Sequence, residues 1–197
     1  PFIATLGMML VASGLAFMIA RGQSIYQVPD SFVWLGRGAD LGLPNAVVLM
    51  LALYAGAHVF MARTRWGRHL YAVGANREAA RLSGVPVRRT LLFAYAVSGL
   101  LAGLGGVVMA SQLRSGAPTY GAMYELYVIA AVVVGGTSLS GGQGRVIGTL
   151  LGALLIAVIQ NGMNLTGVES YTQKVVLGLV ILGAVLLDML KHRRAPA

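Results

Sequence analysis

The stretch of this sequence with the clearest chemical potential is rich in glycine, reading GGTSLSGGQGR from Gly135 to Arg145. Glycine-rich loops can bind phosphate through their backbone N–H groups. The phosphate-binding loop of nucleotide hydrolases, however, requires the pattern G-x-x-x-x-G-K-[ST] between a strand and a helix. This pattern does not occur in the sequence. The stretch therefore does not predict a nucleotide site.

Residues that serve catalysis or metal binding are sparse and scattered. The three histidines, His58, His69 and His192, are far apart without the spacing of metal ligands, and cysteine is absent. No serine–histidine, paired-aspartate or metal-binding arrangement falls within the apolar runs, which argues against an intramembrane enzyme. We expect no metal site and no cofactor. His58 is interpreted as an interfacial histidine.

The composition indicates an integral membrane protein. Apolar residues make up 57% of the chain and charged residues only 11%, whereas soluble domains carry about 25% charged residues. Several spans through a lipid bilayer explain both values. The net charge of +9 raises the alternative of nucleic acid, but the cations lie in loops beside apolar runs and few aromatic residues interrupt them. We interpret these charges as setting membrane orientation, with no nucleic-acid partner.

Four apolar runs predict full membrane spans. They cover residues 1–20, 43–61, 91–110 and 175–187. The connections 21–43 and 112–123 are predicted to lie outside the membrane on the outer side. In the third run, Gly99 and Gly103 form a face of small residues that allows another helix to approach closely.

Between the third and fourth spans, residues 124–159 follow a different pattern. Two apolar runs, 126–134 and 146–159, flank the glycine-rich stretch, and each is shorter than a full crossing. Non-helical backbone at membrane depth must be satisfied by protein or water. We therefore predict a short-helix or re-entrant hairpin buried within the protein, against the pathway or against a partner subunit. Gly148 and Gly152 repeat the spacing for close packing.

The predicted fold class is all-α, a polytopic membrane helix bundle with about four full spans plus the hairpin pair. Residues 1–197 are interpreted as a single transmembrane domain. Because Pro1 opens directly into an apolar run, without a methionine or a basic leader, we expect the chain to be an N-terminally truncated fragment of a longer protein.

A small set of polar side chains beside the apolar runs is a candidate translocation pathway. Glu125 adjoins a predicted membrane segment, where it either favours the positive end of a helix or lines an outer vestibule. The amides of Asn161 and Asn164 either bond a sugar hydroxyl or close an outer loop. Ser138 and Ser140 of the glycine-rich stretch complete the set.

The segment 63–90 is the longest polar connection between apolar runs. It contains seven arginines and one acid. Short basic connections lie on the cytoplasmic side, because cationic residues near span ends resist translocation. The C-terminal residues Lys191, His192, Arg193 and Arg194 indicate the same side for the end of the chain.

Within this segment the sequence predicts a helix of about two turns. Asn76 is a candidate N-cap, Glu78 suits the positive helix end, and Gly84 can end the helix before Pro86. Ala79, Ala80 and Leu82 give the helix a small, partly apolar surface, which favours docking into a pocket of another protein. An amphipathic helix on anionic lipid is the alternative. The residues assigned to docking are Asn76, Arg77, Glu78, Ala79, Ala80, Leu82 and Gly84.

Several stretches together resemble the monosaccharide permeases (ribose, xylose and arabinose type) of ATP-binding-cassette importers. The matching stretches are PFIATLGMML, GRHLYAVGANREAARLSGV, YELYVIAAVVVGGTSLSGGQGRVIGTLLGALL and NGMNLTGVESYTQKVVLGLVILGAVLLD. The second contains the E-A-A and later G of the cytoplasmic coupling motif, here Glu78, Ala79, Ala80 and Gly84. Such permeases have about ten helices, so the chain resembles their C-terminal part.

The resemblance implies a transport subunit of the bacterial inner membrane rather than an enzyme. Two permease copies would form a homodimer around the pathway, with cytoplasmic ATPases below and a periplasmic or extracellular sugar-binding protein outside. Residues 78–84 would be the coupling helix, and ATP hydrolysis would reside in the partner. The alternative is a secondary transporter or channel module whose glycine-rich break is a discontinuous-helix site.

Overall fold

The regular secondary structure is helical in the part described by the computed structural model, residues 2–40 and 42–193, with side chains described for residues 3–40 and 42–186. No strand occurs in these ranges, which confirms the all-α prediction. The helices are α1 (Phe2–Ile19), α2 (Asp30–Arg37), α3 (Asn45–Arg63), α4 (Arg65–Ala75), α5 (Arg77–Leu82), α6 (Val87–Leu113), α7 (Tyr124–Val134), α8 (Val146–Leu165) and α9 (Ser170–Arg193).

Three of the described helices, α3, α6 and α8, are long and apolar enough to cross a membrane. The described parts of α1, α7 and α9 are apolar but shorter, so the predicted number of four full spans is not confirmed. The prediction that both hairpin runs are too short was right for α7, whose 11 residues span about 16 Å. It was wrong for α8, because the helix continues through the amide residues to Leu165 and reaches 20 residues.

Contacts divide the chain into two compact units. The first comprises Pro1–Leu51 and Val97–Ala122, and the second comprises Ala52–Ala96 and Met123–Ala197.

The first unit joins the two connections that were predicted to share the outer side. The Ser111 hydroxyl, fully buried near the end of α6, donates to the Phe32 carbonyl (2.6 Å) and accepts from the Gly36 N–H (2.8 Å). Farther along, the backbones of Ile25 and Gly116 exchange two hydrogen bonds. The short helix α2, which lies in a stretch predicted to be a loop, is thereby fixed to the end of α6.

The second unit is built around α7. A small core of Ala130, Ala131 and Ile156 is surrounded by apolar side chains from α9, including Leu177 and Ile181. The close packing predicted for Gly148 and Gly152 is confirmed. A Cβ at Gly148 would strike the Gly135 carbonyl, and one at Gly152 would strike the Ala131 carbonyl. These backbones can approach only because the side chain is hydrogen.

Other apolar surfaces lack cover within the described chain. Helix α3 buries none of its residues, and a Cβ at Gly99 or Gly103 would have no neighbour within 4 Å. The small-residue face on α6 therefore stays a prediction. Contiguous apolar surface of this kind requires lipid or another protein chain to cover it.

Candidate functional site

Helix α5 begins as the sequence predicts. The side-chain oxygen of Asn76 accepts hydrogen bonds from the N–H groups of Glu78 and Ala79, each at 3.0 Å. Two of the N–H groups that a helix start leaves without partners are thereby satisfied. The N-cap prediction is confirmed.

The end of α5 also follows the prediction. Gly84 has a φ of +80°, the left-handed conformation that glycine adopts most easily. Its N–H donates to the Arg81 carbonyl, and the Val85 N–H donates to the Ala80 carbonyl, both at 3.0 Å. This pair of bonds is the Schellman motif, which ends a helix while satisfying its last carbonyls.

The exposed face of α5 differs from the predicted docking surface at one residue. Ala80 is only 4% exposed, whereas Leu82 is 78% exposed. Two positions apart on a helix correspond to about 200° of rotation, and α4 packs against α5. Ala80 therefore lies on the covered side and is unavailable to a partner. The exposed large apolar side chain on this helix is Leu82, next to exposed Ala79.

A basic cleft of about 730 Å³ lies beside α5. Four arginines line it against one carboxylate: Arg77, Arg81, Arg88, Arg89 and Glu78. Glu78 bonds Arg81 at 2.6 Å, but both side chains are about two-thirds exposed, so the pair contributes little to stability. Two of the arginines stand in the first turn of α6, the positive end of that helix. The cleft therefore suits an anionic partner.

Helix α4 was missed by the sequence analysis, which predicted one helix in this segment, beginning at Asn76. The available signal was Thr64, whose hydroxyl caps the helix by accepting from the Gly67 N–H at 3.1 Å. The ring of Trp66 packs against Phe93 of α6 (centroids 5.1 Å apart), and Phe93 stacks on Phe60 of α3 (5.6 Å). This aromatic cluster positions α4 between the adjoining ends of α3 and α6.

The glycine-rich loop, residues 135–145, packs against the C-terminal half of α4. A Cβ at Gly141 would strike the Gly74 carbonyl, and one at Gly142 would lie 2.6 Å from the Ala75 Cβ. The Tyr71 hydroxyl donates to the Gly144 carbonyl at 2.9 Å. A cleft of about 270 Å³ remains between the two elements. The loop thus contacts the segment that carries α5.

The two serines assigned to the pathway take part in hydrogen bonds of this loop. Their hydroxyls lie 2.8 Å apart, and the Ser140 N–H donates to the Ser138 hydroxyl. The Ser138 N–H donates to the Gln143 carbonyl at 3.1 Å, and Ser138 is 7% exposed. Their hydrogen bonds stabilise the compact shape of the loop.

The five candidate pathway residues do not form one site. Helices α7 and α8 are antiparallel, because Ala131 faces Gly152 and Gly135 faces Gly148. Exposed Glu125, in the first turn of α7, therefore lies towards the C-terminal end of α8.

The C-terminal end of α8 carries Asn161 and Asn164. The two serines lie in the loop that precedes the opposite, N-terminal end of α8. The Asn164 side chain accepts from the Gln173 amide at 2.9 Å, across the turn into α9. The structure thus brings the glutamate and the asparagines to one end of the hairpin. It places the serines at the other end.

Comparison with known proteins identifies the family. The family model described as "Branched-chain amino acid transport system / permease component" matches residues 1–185. The chain belongs to this permease family. No solved structure matches the permease chain.

Curated relatives of the permease are named for sugars. Over 97% of this chain, the sequence is 45% identical to the ribose import permease protein of Escherichia coli K12 and 47% identical to that of Bacillus subtilis. It is 39% identical to the L-arabinose transport system permease protein of Escherichia coli, again over 97% of this chain. The resemblance predicted from the sequence is confirmed. The chain spans about three fifths of the length of these relatives (58–61%).

Proposed function

We propose that this chain is part of the permease subunit of an ATP-binding-cassette importer that moves a monosaccharide across the bacterial inner membrane. The observation that carries the proposal is the identity of 39–47% to ribose and arabinose permeases over 97% of the chain. The geometry of α5 supports it, since a capped, exposed six-residue helix in a basic segment suits docking better than core formation.

In this proposal α5 is the coupling helix, and it docks on a cytoplasmic ATPase. Leu82 supplies the apolar anchor, and the arginines of the adjacent cleft face acidic side chains of the ATPase. A helix of six residues is unstable alone in water, so its capping bonds and contact with the ATPase hold it in shape. Nucleotide binding and hydrolysis reside in the ATPase.

The remaining partners follow from the surfaces that the chain leaves uncovered. The exposed apolar sides of α3 and α6 contact lipid or a second permease copy in a homodimer around the pathway. A soluble sugar-binding protein delivers the monosaccharide at the outer side, near Glu125 and Asn161. Closure of the ATPases shifts the population between inward-open and outward-open states.

The alternative, a secondary transporter or channel module, is not favoured. Such a module places an ion or substrate site at the break between half-helices. Here the break between α7 and α8 is filled by the hydrogen bonds of the glycine-rich loop itself. Glu125, the acidic residue that could serve such an ion site, lies at the opposite end of α7.

The test is a substitution that changes the exposed face of α5 without disturbing its caps. In the complete permease, Leu82→Glu places a charge where the apolar anchor docks, and we expect at least a fivefold loss of co-purified ATPase together with lower uptake across a panel of labelled monosaccharides. Leu82→Met keeps an apolar side chain and is expected to retain both. Undiminished ATPase retention in Leu82→Glu would leave a lipid-surface helix as the better explanation of α5.

A further inference from the structure

We infer that α4 and the glycine-rich loop transmit the displacement of α5 to the α7–α8 hairpin, with Tyr71 and Gly74 as the positioning residues for this step. The inference rests on the proposed function of α5. It assigns a role to a helix that the sequence analysis missed and to a loop that it predicted only as part of a buried hairpin with two pathway serines. Three successive contacts, all within the second unit, make up the route.

The first contact joins α5 to α4 through a single residue. Asn76 caps the start of α5 with its side chain, while its N–H donates to the Ala72 carbonyl at the end of α4 (3.1 Å). No flexible linker separates the helices, and they also pack against each other. A movement imposed on α5 by the ATPase is therefore passed to α4.

The second contact joins α4 to the loop, backbone against backbone. Even a methyl group at Gly74 would lie 2.9 Å from the Gly142 nitrogen, and one at Gly141 would strike the Gly74 carbonyl. Backbones in such contact have no side chain between them that can change rotamer and absorb a displacement. The Tyr71–Gly144 hydrogen bond ties the same surfaces against separation.

The third contact makes the loop a firm extension of the hairpin. At the end of α7, Gly136 (φ +83°) and Thr137 form a second Schellman motif through their bonds to Val133 and Val132. Across the loop, a Cβ at Gly144 would lie 2.7 Å from the Thr137 side chain. Movement of the loop therefore carries the adjoining ends of α7 and α8.

The alternative role of these contacts is to stabilise the folded permease without transmitting any movement. The two roles differ in what they do to the ratio of sugar transported to ATP hydrolysed. Loss of stability lowers the amount of active transporter and changes both rates in proportion, whereas loss of transmission lowers transport for each ATP consumed. The ratio is the readout that a structural role would not change.

The experiment uses the complete permease with its ATPase and binding protein, reconstituted in liposomes. Tyr71→Phe removes the hydrogen bond and keeps the ring, and Gly74→Ala forces α4 away from the loop. We expect both variants to retain the ATPase. In Tyr71→Phe the ratio of transport to hydrolysis is expected to fall about two- to tenfold, the fold-change to which the loss of one hydrogen bond corresponds. Gly74→Ala is expected to lower the same ratio. Gly178→Ala is the matched control, since a Cβ on this helical glycine of α9 meets nothing within 4 Å.

The outcomes separate this inference from the proposed function. An unchanged ratio of transport to hydrolysis in Tyr71→Phe would overturn the inference, even if the rates of transport and hydrolysis fall together. Tyr71→Phe is sufficient for this test if Gly74→Ala does not fold. A lowered ratio in Tyr71→Phe, with the ATPase still bound and the ratio of Gly178→Ala unchanged, supports the inference. Failure of the unsubstituted permease to bind an ATPase would instead overturn the proposed function.

Discussion

Gly84 shows how one residue fixes the position at which α5 ends and the chain turns. Its φ of +80° allows the two bonds that end α5, and a Cβ built on it would meet no atom within 4 Å. Any cost of substitution therefore comes from the backbone conformation rather than from crowding. The left-handed region costs an L-residue about 1 to 2 kcal/mol, with asparagine among the residues that tolerate it best.

This separation of causes predicts an order among substitutions at position 84. In the complete permease, Gly84→Val is expected to misplace α5 at a cost of about 1 to 2 kcal/mol, lowering ATPase retention and transport while membrane insertion is maintained. Gly84→Asn is expected to lie between valine and glycine. ATPase co-purification measures the effect. Equal retention in all three proteins would contradict a left-handed cap at this position.

At the scale of elements, the α7–α8 hairpin depends on glycines at its contact surface. The carbonyls of Ala131 and Gly135 occupy the positions where a Cβ of Gly152 or Gly148 would stand. The same loop that connects the helices packs against α4 through Gly141. Together these contacts explain why the break between two apolar runs is rich in glycine although it lacks the phosphate-binding motif.

Filling the hairpin contact is expected to destabilise the second unit. Gly152→Ala places a methyl group against the Ala131 carbonyl, and overpacking of this kind costs about 1 to 3 kcal/mol. Gly178→Ala in α9 is the control, because its Cβ would meet nothing within 4 Å, and alanine favours a helix. Thermal unfolding of the two purified variants in detergent measures the difference. A Gly152→Ala melting temperature equal to that of Gly178→Ala would refute close packing of these helices.

Gly141→Trp tests the contact between the glycine-rich loop and α4. Gly141 has a φ of +90° and lies against the Gly74 carbonyl, so a bulky side chain cannot enter without moving the loop away from α4. Transport is expected to fall at least tenfold, with the amount of inserted protein as the control measurement. Unchanged transport and assembly would exclude the buried loop that was predicted from the short apolar runs.

For the whole molecule, the contacts between connections lie within one unit or the other. Residues 21–43 contact the chain beyond α6 through Ile25 and Gly116, and the basic segment contacts the glycine-rich loop through Tyr71. The basic segment is predicted to lie on the cytoplasmic side and residues 21–43 on the outer side.

Labelling of single cysteines, introduced into a complete permease from which any native cysteine has been removed, tests this orientation. Ser83, at the end of α5, and Glu169, in the turn between α8 and α9, are both exposed. A membrane-impermeant thiol reagent added to intact cells is expected to label Glu169→Cys and to reach Ser83→Cys only after permeabilisation. Labelling of Ser83→Cys in intact cells would reverse the proposed orientation. The C-terminal basic cluster gives no independent check, since Arg194 lies outside the described residues and the side chains of Lys191, His192 and Arg193 are not described.

The features determined by the sequence alone are those with local physical causes. Asn76 and Gly84 predict both ends of α5 because capping depends on the residue at the cap and its nearest neighbours along the chain. The apolar runs likewise predict the membrane class and the helical fold, and Gly148 with Gly152 predict close helix approach. Helix length was harder to predict from the sequence, because the amide residues that extend α8 to Leu165 also favour turns.

What only the tertiary structure decided is which surfaces meet across long distances in the chain. The burial of Ala80 and exposure of Leu82 depend on α4 packing beside α5, and no local pattern states which side of a two-turn helix is covered. Likewise, Tyr71 meets Gly144 across 73 positions, and the pathway candidates separate to opposite ends of one hairpin. Glycine permits such contacts by removing the steric barrier to them, but it specifies no partner, and the partner is fixed only when the whole unit packs.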